Sequence, residues 1–173
     1  MKLDVVAWPV IAEIVKQIKR EFTEREIDFD RVAPLWAENP ILDVDPQGAP
    51  FNQAWVRLVT QIPARTFPAV DAAPAWGGRQ NPAAPGRLAT TIEVGMVHCT
   101  AWAVSEDFSP TEDQYMFDAE RSSAEMAALR VAVSKAMVEQ KREYQFVSFS
   151  ALNDGLSSGG YWQVSFDWLK GER

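Results

Sequence analysis

The first apolar stripe of the sequence has helical spacing. Its members recur every three to four residues and therefore share one side of a helix; they are Val10, Ile11, Ile14, Val15, Ile18 and Phe22. Pro9 is compatible with the first turn of a helix, where a backbone N–H has no intrahelical partner. The pattern predicts an amphipathic helix over Val6–Thr23 that packs on a sheet or on another helix.

Four later segments have the composition or the alternation of β-strands. Ala54–Ile62 is rich in β-branched residues and lies between two prolines, which is typical of a strand. Thr90–Val104 alternates, and both of its faces are largely apolar toward the end, which predicts a central strand buried on both sides. Phe146–Leu152 predicts a short strand. Tyr161–Leu169 predicts a final strand with one bulky face, which is more consistent with core than with an interface: Trp162, Val164, Phe166 and Trp168.

A second, longer helix is predicted between the strands. The sequence Ser109-Pro110-Thr111-Glu112 has the form of a capping box with proline at the first helical position. An apolar stripe follows at helical spacing, and no glycine or proline interrupts it: Tyr115, Ala119, Met126, Val133 and Met137. We expect a helix over Pro110–Gln140.

The remaining segments are irregular. Glu24–Phe51 contains four prolines, so only short extended pieces such as Ile41–Val44 are expected there. Pro68–Arg87 carries four of the eleven prolines and three of the nine glycines. It is interpreted either as a disordered hairpin tip or as a protruding arm that orders against a neighbouring subunit through Trp76. Asn153–Gly160 is predicted to be a turn.

Two helices among several strands predict an α+β fold. We expect a mixed or antiparallel sheet of about four to five strands, packed by the N-terminal helix and the long helix, with a long Pro/Gly-rich loop. Residues 1–173 are expected to form a single domain, and no internal repeat is visible.

Composition and charge exclude several classes of protein. The 173 residues carry a formal net charge of -7, which opposes a phosphate-binding face of the kind that direct DNA binding requires. Cys99 is the only cysteine, so a framework of intrachain disulfides is excluded. No stretch approaches the roughly 18 consecutive apolar residues of a membrane span. We therefore expect a protein made in the cytoplasm and without a membrane partner.

Catalytic and ligand-binding motifs are not found in the sequence. His98, the only histidine, is next to Cys99 in a predicted strand, so the two side chains point to opposite faces and cannot pair as base and nucleophile. The residue spacings required for zinc, for an EF-hand calcium loop and for a phosphate-binding loop are all missing. We expect no enzymatic activity, no cofactor and no metal. A small cytosolic ligand-binding or enzymatic α+β domain that uses His98 is the alternative from another class.

The sequence LSSGGYWQVSFDW, from Leu156 to Trp168, begins with a flexible glycine-rich stretch and continues as an alternating strand that starts with aromatic residues. It resembles the ending of tail-terminator and neck proteins of long-tailed phages of actinobacteria. The order of the other segments is also similar: an initial helix, strands like AWVRLVTQI and TTIEVGMVHCTAW, and a helix before the last hairpin. The Pro-rich insert at Pro68–Arg87 departs from the family pattern, and so does the absence of a second cysteine near the glycine pair.

The resemblance implies a structural virion protein of the phage neck or tail. A tail terminator forms a homo-oligomeric ring, expected to be hexameric, that caps the major tail tube protein and joins it to a head-completion or connector protein. DNA passes through the lumen without specific binding. A neck, head-completion or minor tail protein is the alternative within the virion. Candidate subunit-interface residues are Trp76, Arg79, Leu156, Tyr161 and Gln163.

Overall fold

The computed structural model describes residues 7–35, 52–64, 67, 87–100, 110–153 and 157–169. Two helices and five strands lie in these ranges, so the predicted α+β class is confirmed. In chain order the elements are α1 (Trp8–Glu24), β1 (Arg31–Leu35), β2 (Gln53–Ala64), β3 (Arg87–Cys99), α2 (Glu112–Glu139), β4 (Tyr144–Asn153) and β5 (Ser157–Leu169). The expected pieces at Ile41–Val44 and Val6, and nearly all of Pro68–Arg87, lie outside the described residues.

The five strands form one mixed sheet in the order β1-β2-β3-β5-β4. β1 is parallel to β2, and the other neighbouring pairs are antiparallel. The sequence did not predict β1, because it is only five residues long and contains Pro34. Proline is tolerated there because β1 lies at the margin of the sheet, where a missing N–H does not interrupt a ladder.

Both helices pack on one face of the sheet and on each other. The stripe predicted on α1 is buried except for Val15, which is half-buried. It joins a continuous apolar core with α2 and with alternate residues of the strands, which include Ala54, Val56, Ile92, Val94, Met96, Val164 and Phe166. Each fully buried valine, isoleucine, methionine or phenylalanine of this core contributes about 1.5–3 kcal/mol to folding. The prediction that the Trp162 face of β5 is core is confirmed for Val164 and Phe166, and Trp162 packs against the same core.

β3 is the central strand of the sheet, as predicted, and residues 92–98 are buried on both faces. The face opposite the helices, called the far face here, carries Trp55 of β2 directly over Gly95 of β3. A Cβ atom on Gly95 would lie 2.3 Å from Cζ2 of Trp55 and 2.8 Å from Cβ of Tyr161. Only glycine therefore fits at this position. The close approach lets the indole of Trp55 bury completely.

A buried ion pair lies beside Trp55 on the far face. The indole Nε1–H of Trp55 donates to Oε1 of Glu93 at 3.1 Å, and Arg57 donates to both carboxylate oxygens, at 2.9 and 2.7 Å. Glu93 is buried, so these charge-assisted hydrogen bonds compensate the cost of removing its charge from water. They also fix the register of β2 against β3.

The start of α2 differs from the prediction. The N-cap is Thr111, and its capping box closes with Gln114, whereas Ser109 and Glu112 were expected to form the box. Pro110 precedes the helix, and Ser109 lies outside the described residues. Thr-x-x-Gln and Ser-x-x-Glu both fit the capping-box pattern, so the sequence pattern alone does not show whether the helix begins after Ser109 or after Thr111.

The inward side of α2 is also rotated relative to the predicted stripe. Met126, Val133 and Met137 are buried, but Tyr115 and Ala119 are exposed. In the first half of α2 the buried side chains are two carboxylates, and the second half buries apolar residues; the full set is Asp118, Glu125, Met126, Ala128, Leu129, Ala132, Val133, Ala136 and Met137. The prediction was wrong there because an apolar stripe does not count acidic residues as inward-facing.

The two paired glycines near the end of the chain lie in a strand and not in a turn. Gly159 and Gly160 belong to β5, where they pair with β3 and β4, so the predicted turn over Asn153–Gly160 was too long. Gly159 has a φ of +155°, and a Cβ on it would lie 2.1 Å from the carbonyl oxygen of Met96. The glycine therefore allows close contact between two strands.

The two helices are joined by an ion pair as well as by apolar contacts. Glu21 of α1 is buried and accepts hydrogen bonds from Lys135 of α2 and from Arg25. Burial alone would raise the pKa of Glu21, but the hydrogen bonds from Lys135 and Arg25 outweigh it, so the pKa lies below its usual value.

Candidate functional site

The margin of the sheet formed by β4 has the features of an interaction site. Among the described strands, β4 pairs only with β5, so its other side lies at the edge of the sheet. The ten residues of β4 include no charged residue and no proline. Val147 is 52% exposed and Phe149 is 46% exposed. Val147 is a bulge residue without a Cα partner in β5. We call this margin the β4 edge.

An aromatic cluster lies beside the β4 edge, on the side of the helices. Trp162 of β5 packs between Phe146 and Phe149 of β4, with ring centroids 5.4 and 4.9 Å apart. The guanidinium of Arg130, on α2, lies over Phe146 at 5.1 Å and over Trp162 at 5.5 Å. The indole N–H of Trp162 donates to the carbonyl of Met126 at 3.1 Å. These contacts hold the aromatic surface in one geometry.

The opposite margin of the sheet is built differently. β1 has five residues and includes Arg31 and Pro34, which are residue types that disfavour pairing with another chain. β1 covers β2 only from Gln53 to Arg57. Residues 58–64 of β2 therefore have no strand on that side within the described part of the chain. The two margins are different surfaces: the β4 edge is a single uncharged strand of ten residues, whereas the opposite margin combines the short β1 with the uncovered residues 58–64 of β2.

Two of the five predicted interface residues fall in described parts of the chain. Tyr161 and Gln163 are half-buried on the far face of β5. Gln163 accepts a hydrogen bond from the Ser148 hydroxyl at 3.2 Å, which links it to β4. β5 itself is interior, so the edge of the final hairpin is its first strand and not its last. The other three candidates lie outside the described residues: Trp76, Arg79 and Leu156.

A group of buried polar side chains joins β3 to the first half of α2. Nδ1 of His98 lies 2.7 Å from Oε2 of Glu125, and Nε of Arg121 donates to the other oxygen of Glu125 at 3.0 Å. Asp118 lies one to two turns earlier on α2 and is also buried. We call His98, Asp118, Arg121 and Glu125 the buried polar cluster.

The buried polar cluster contains groups without hydrogen-bond partners. Within the described part of the chain, Nε2 of His98 and both carboxyl oxygens of Asp118 make no hydrogen bond. Burial raises the pKa of Asp118 above its usual value, while His98 and Arg121 act against the rise and Glu125 adds to it. The protonated, neutral form of Asp118 is therefore favoured to a higher pH than the protonated form of an ordinary aspartic acid.

The buried polar cluster has one element of acid–base chemistry, the imidazole oriented by a carboxylate. A nucleophile would have to contact Nε2 of His98, and no described residue does so. Ser158 is the Cα partner of His98 in the sheet, and its hydroxyl oxygen lies 3.3 Å from that of Ser122. No group of three or more His, Cys, Asp or Glu residues in the described ranges could hold a metal ion.

Sequence reasoning missed this cluster. The sequence assigned no partner to His98. The available signal was the spacing of Asp118 and Glu125, seven residues apart on the same side of α2 as Leu129 and Ala132. Acidic residues in phase with an apolar stripe indicate buried carboxylates, which need partners on the facing strand.

No family model matches this sequence, and no curated protein matches it either. Neither helix in the described ranges has the length and apolarity needed to span a bilayer.

Proposed function

We propose that this chain is a structural subunit that assembles with copies of itself through the β4 edge, as the tail terminator of a long-tailed actinobacterial phage. The observation that carries the proposal is the β4 edge itself, a ten-residue strand that has no charged residue and no proline and in which Phe149 is exposed. Edge strands of this kind offer unpaired N–H and C=O groups that a strand of another chain can complete. Proteins that remain monomeric usually block such edges with charges, prolines, bulges or covering segments, and β4 itself has only the bulge at Val147 among its ten residues.

Closure into a ring requires two different patches on each subunit, because a heterologous interface joins unlike surfaces. The β4 edge supplies the first patch. The opposite margin is unlike it, and residues 58–64 of β2 are the candidate for the second patch. This asymmetry favours a ring over a two-fold dimer, in which the same patch would meet itself.

The sequence resemblance and the charge support the position of this ring in the virion. The segment LSSGGYWQVSFDW resembles the ending of tail-terminator and neck proteins. From Ser157 onward this segment forms β5, the strand that pairs with β4. A net charge of -7 on each subunit disfavours adhesion of DNA, which must slide through the lumen. The proposed partners are the major tail tube protein and a head-completion or connector protein.

The assembly is tested by mass measurement of the full chain and of two variants. Light scattering after size-exclusion chromatography should give a discrete ring, expected to be a hexamer, for the wild-type chain. Val147→Lys places a charge in the β4 edge and should shift the mass toward the monomer while the circular dichroism spectrum is retained. Val138→Lys is the matched control, because Val138 is 73% exposed in the last turn of α2 and should tolerate lysine without loss of the ring.

Two results would count against the proposal. One is a wild-type chain that stays monomeric at high concentration, and the other is a Val147→Lys variant with the wild-type mass. Electron microscopy of the ring mixed with the tail tube protein of the same phage separates a terminator from a neck protein. A terminator should cap the tubes at one end, whereas a neck or head-completion protein should leave them uncapped.

A further inference from the structure

The buried polar cluster has an unbalanced set of charges. One guanidinium, that of Arg121, faces two carboxyl groups, those of Asp118 and Glu125, and the imidazole of His98 completes the set. With both carboxyls ionised and the imidazole neutral, the cluster would bury one net negative charge. Burial of an uncompensated charge is costly, and proteins generally avoid it by changing the protonation state.

One additional proton removes this imbalance. It can reside on Asp118, which then becomes a neutral acid, or on His98, which then becomes a cation beside Glu125. Both groups have atoms without a hydrogen-bond partner among the described residues, Nε2 of His98 and the two carboxyl oxygens of Asp118, although Nδ1 of His98 is already paired with Glu125. On β5 the residue paired with His98 is the uncharged Ser158, whose hydroxyl lies 3.3 Å from that of Ser122 on α2.

We propose that the buried polar cluster binds one proton when the chain folds, and that this proton keeps the first half of α2 packed on β3. The raised pKa of Asp118, caused first by its burial, supports this assignment. A carboxyl whose pKa is raised in the folded state contributes stability that is complete at low pH. That contribution is lost as the pH rises through the folded-state pKa.

The proton is linked to a particular part of the surface. Immediately before Asp118, the helix exposes three consecutive large apolar side chains, those of Tyr115, Met116 and Phe117. After loss of the proton, Asp118 would hold the first half of α2 less firmly on β3. The helical turn Tyr115–Phe117 would then unfold more readily than the apolar second half of α2. The device thus makes the position of an exposed apolar turn depend on pH.

The first experiment measures urea unfolding of the full chain at a series of pH values from about 5 to 9. Protein concentration and oligomeric state are held constant, because assembly also contributes to stability. Asp118→Asn imitates the protonated acid and removes the linked proton. Glu120→Gln is the matched control, since it removes an exposed carboxylate from the same helix.

Over the interval in which only the folded chain holds the proton, its unfolding equilibrium constant should rise about tenfold per pH unit. The ratio of the wild-type constant to that of Asp118→Asn should therefore increase at least about tenfold from pH 5 to pH 9. The ratio to Glu120→Gln should stay constant. A wild-type to Asp118→Asn ratio that changes less than about twofold across the range would overturn the proposal.

A second measurement needs no variant, so a misfolded Asp118→Asn chain does not leave the proposal untested. The chain contains one histidine, so the ring-nitrogen NMR signals of His98 are unambiguous. These signals and the carboxyl carbon of Asp118 report the protonation state at about pH 7.5, where an ordinary histidine and an ordinary aspartic acid have both largely lost their protons. A proton on either group supports the proposal, and an ionised Asp118 together with a neutral His98 overturns it. Hydrogen exchange should then show loss of protection at Tyr115–Phe117 as the proton leaves, with little change at Ala132–Met137.

Discussion

Replacement of Gly95 by alanine should destabilise the fold strongly, although alanine is normally the better strand residue. Relief of glycine's backbone entropy alone would stabilise the chain by about 0.5–1 kcal/mol. The new Cβ, however, would lie 2.3 Å from Cζ2 of Trp55 and 2.8 Å from Cβ of Tyr161, and both neighbours belong to adjacent strands. Overpacking of a buried site costs about 1–3 kcal/mol. Displacement of Trp55 also breaks its hydrogen bond to Glu93, a bond to a charged group worth about 1.5–3 kcal/mol. The net loss is on the order of 3 kcal/mol.

The assay is urea unfolding followed by circular dichroism at a fixed protein concentration. A double-mutant cycle with Trp55→Leu identifies the cause, because leucine removes the indole ring that the new methyl group would meet. Gly95→Ala should cost much less in the Trp55→Leu background than in the wild type. An alanine variant that is as stable as the wild type would refute the packing argument. Equal losses in the two backgrounds would show that the contact with Trp55 is not the cause.

Three further outcomes are expected from the same kind of measurement. Thr111→Ala removes the N-cap hydroxyl that accepts from Gln114 and should cost about 1 kcal/mol in urea unfolding, whereas Thr111→Ser should retain most of it. Lys135→Met removes a hydrogen-bond partner of Glu21, whose pKa in the folded chain lies below its ordinary value of 4.5. This lowered pKa stabilises the fold at pH values above 4.5, and the stabilisation is lost as the pH falls through the folded-state pKa. The variant should lose stability less steeply in acid than the wild type, and an unchanged acid profile would contradict this assignment. Gly159→Ala should cost at least about 2 kcal/mol, because its Cβ meets a backbone carbonyl that cannot rotate away; a loss below about 0.5 kcal/mol would contradict the assigned close contact.

Regular apolar patterns predicted most of the fold. The helical stripe of α1, the β-branched composition of β2 between two prolines, and the alternation of β3 and β5 place these elements within a few residues of their observed bounds. Each of these elements buries a face that is mostly apolar, so periodicity specifies which side faces the core even where a polar residue such as Glu21 or His98 shares that side. The short edge strand β1 was missed because a margin position tolerates proline and partial burial.

The buried polar groups could not be predicted in the same way. Glu93 is surrounded by donors from β2, and Glu125 contacts His98 across the space between helix and sheet. These partners are separated along the chain by 36 residues for Arg57 and Glu93 and by 27 for His98 and Glu125. A local pattern carries no information on such pairs, because only the registered sheet and the docked helix bring them together.

The position of β5 also has a consequence for synthesis of the chain. It is the last of the five strands to be translated, yet it lies between β3 and β4. Until β5 has left the ribosome, the emerging β4 has no neighbour and the incomplete sheet presents the bare side of β3. Nascent chains of this protein therefore expose two unpaired strand edges at the same time, one on β3 and one on β4. At a high rate of synthesis, these edges should favour aggregation between chains over productive folding.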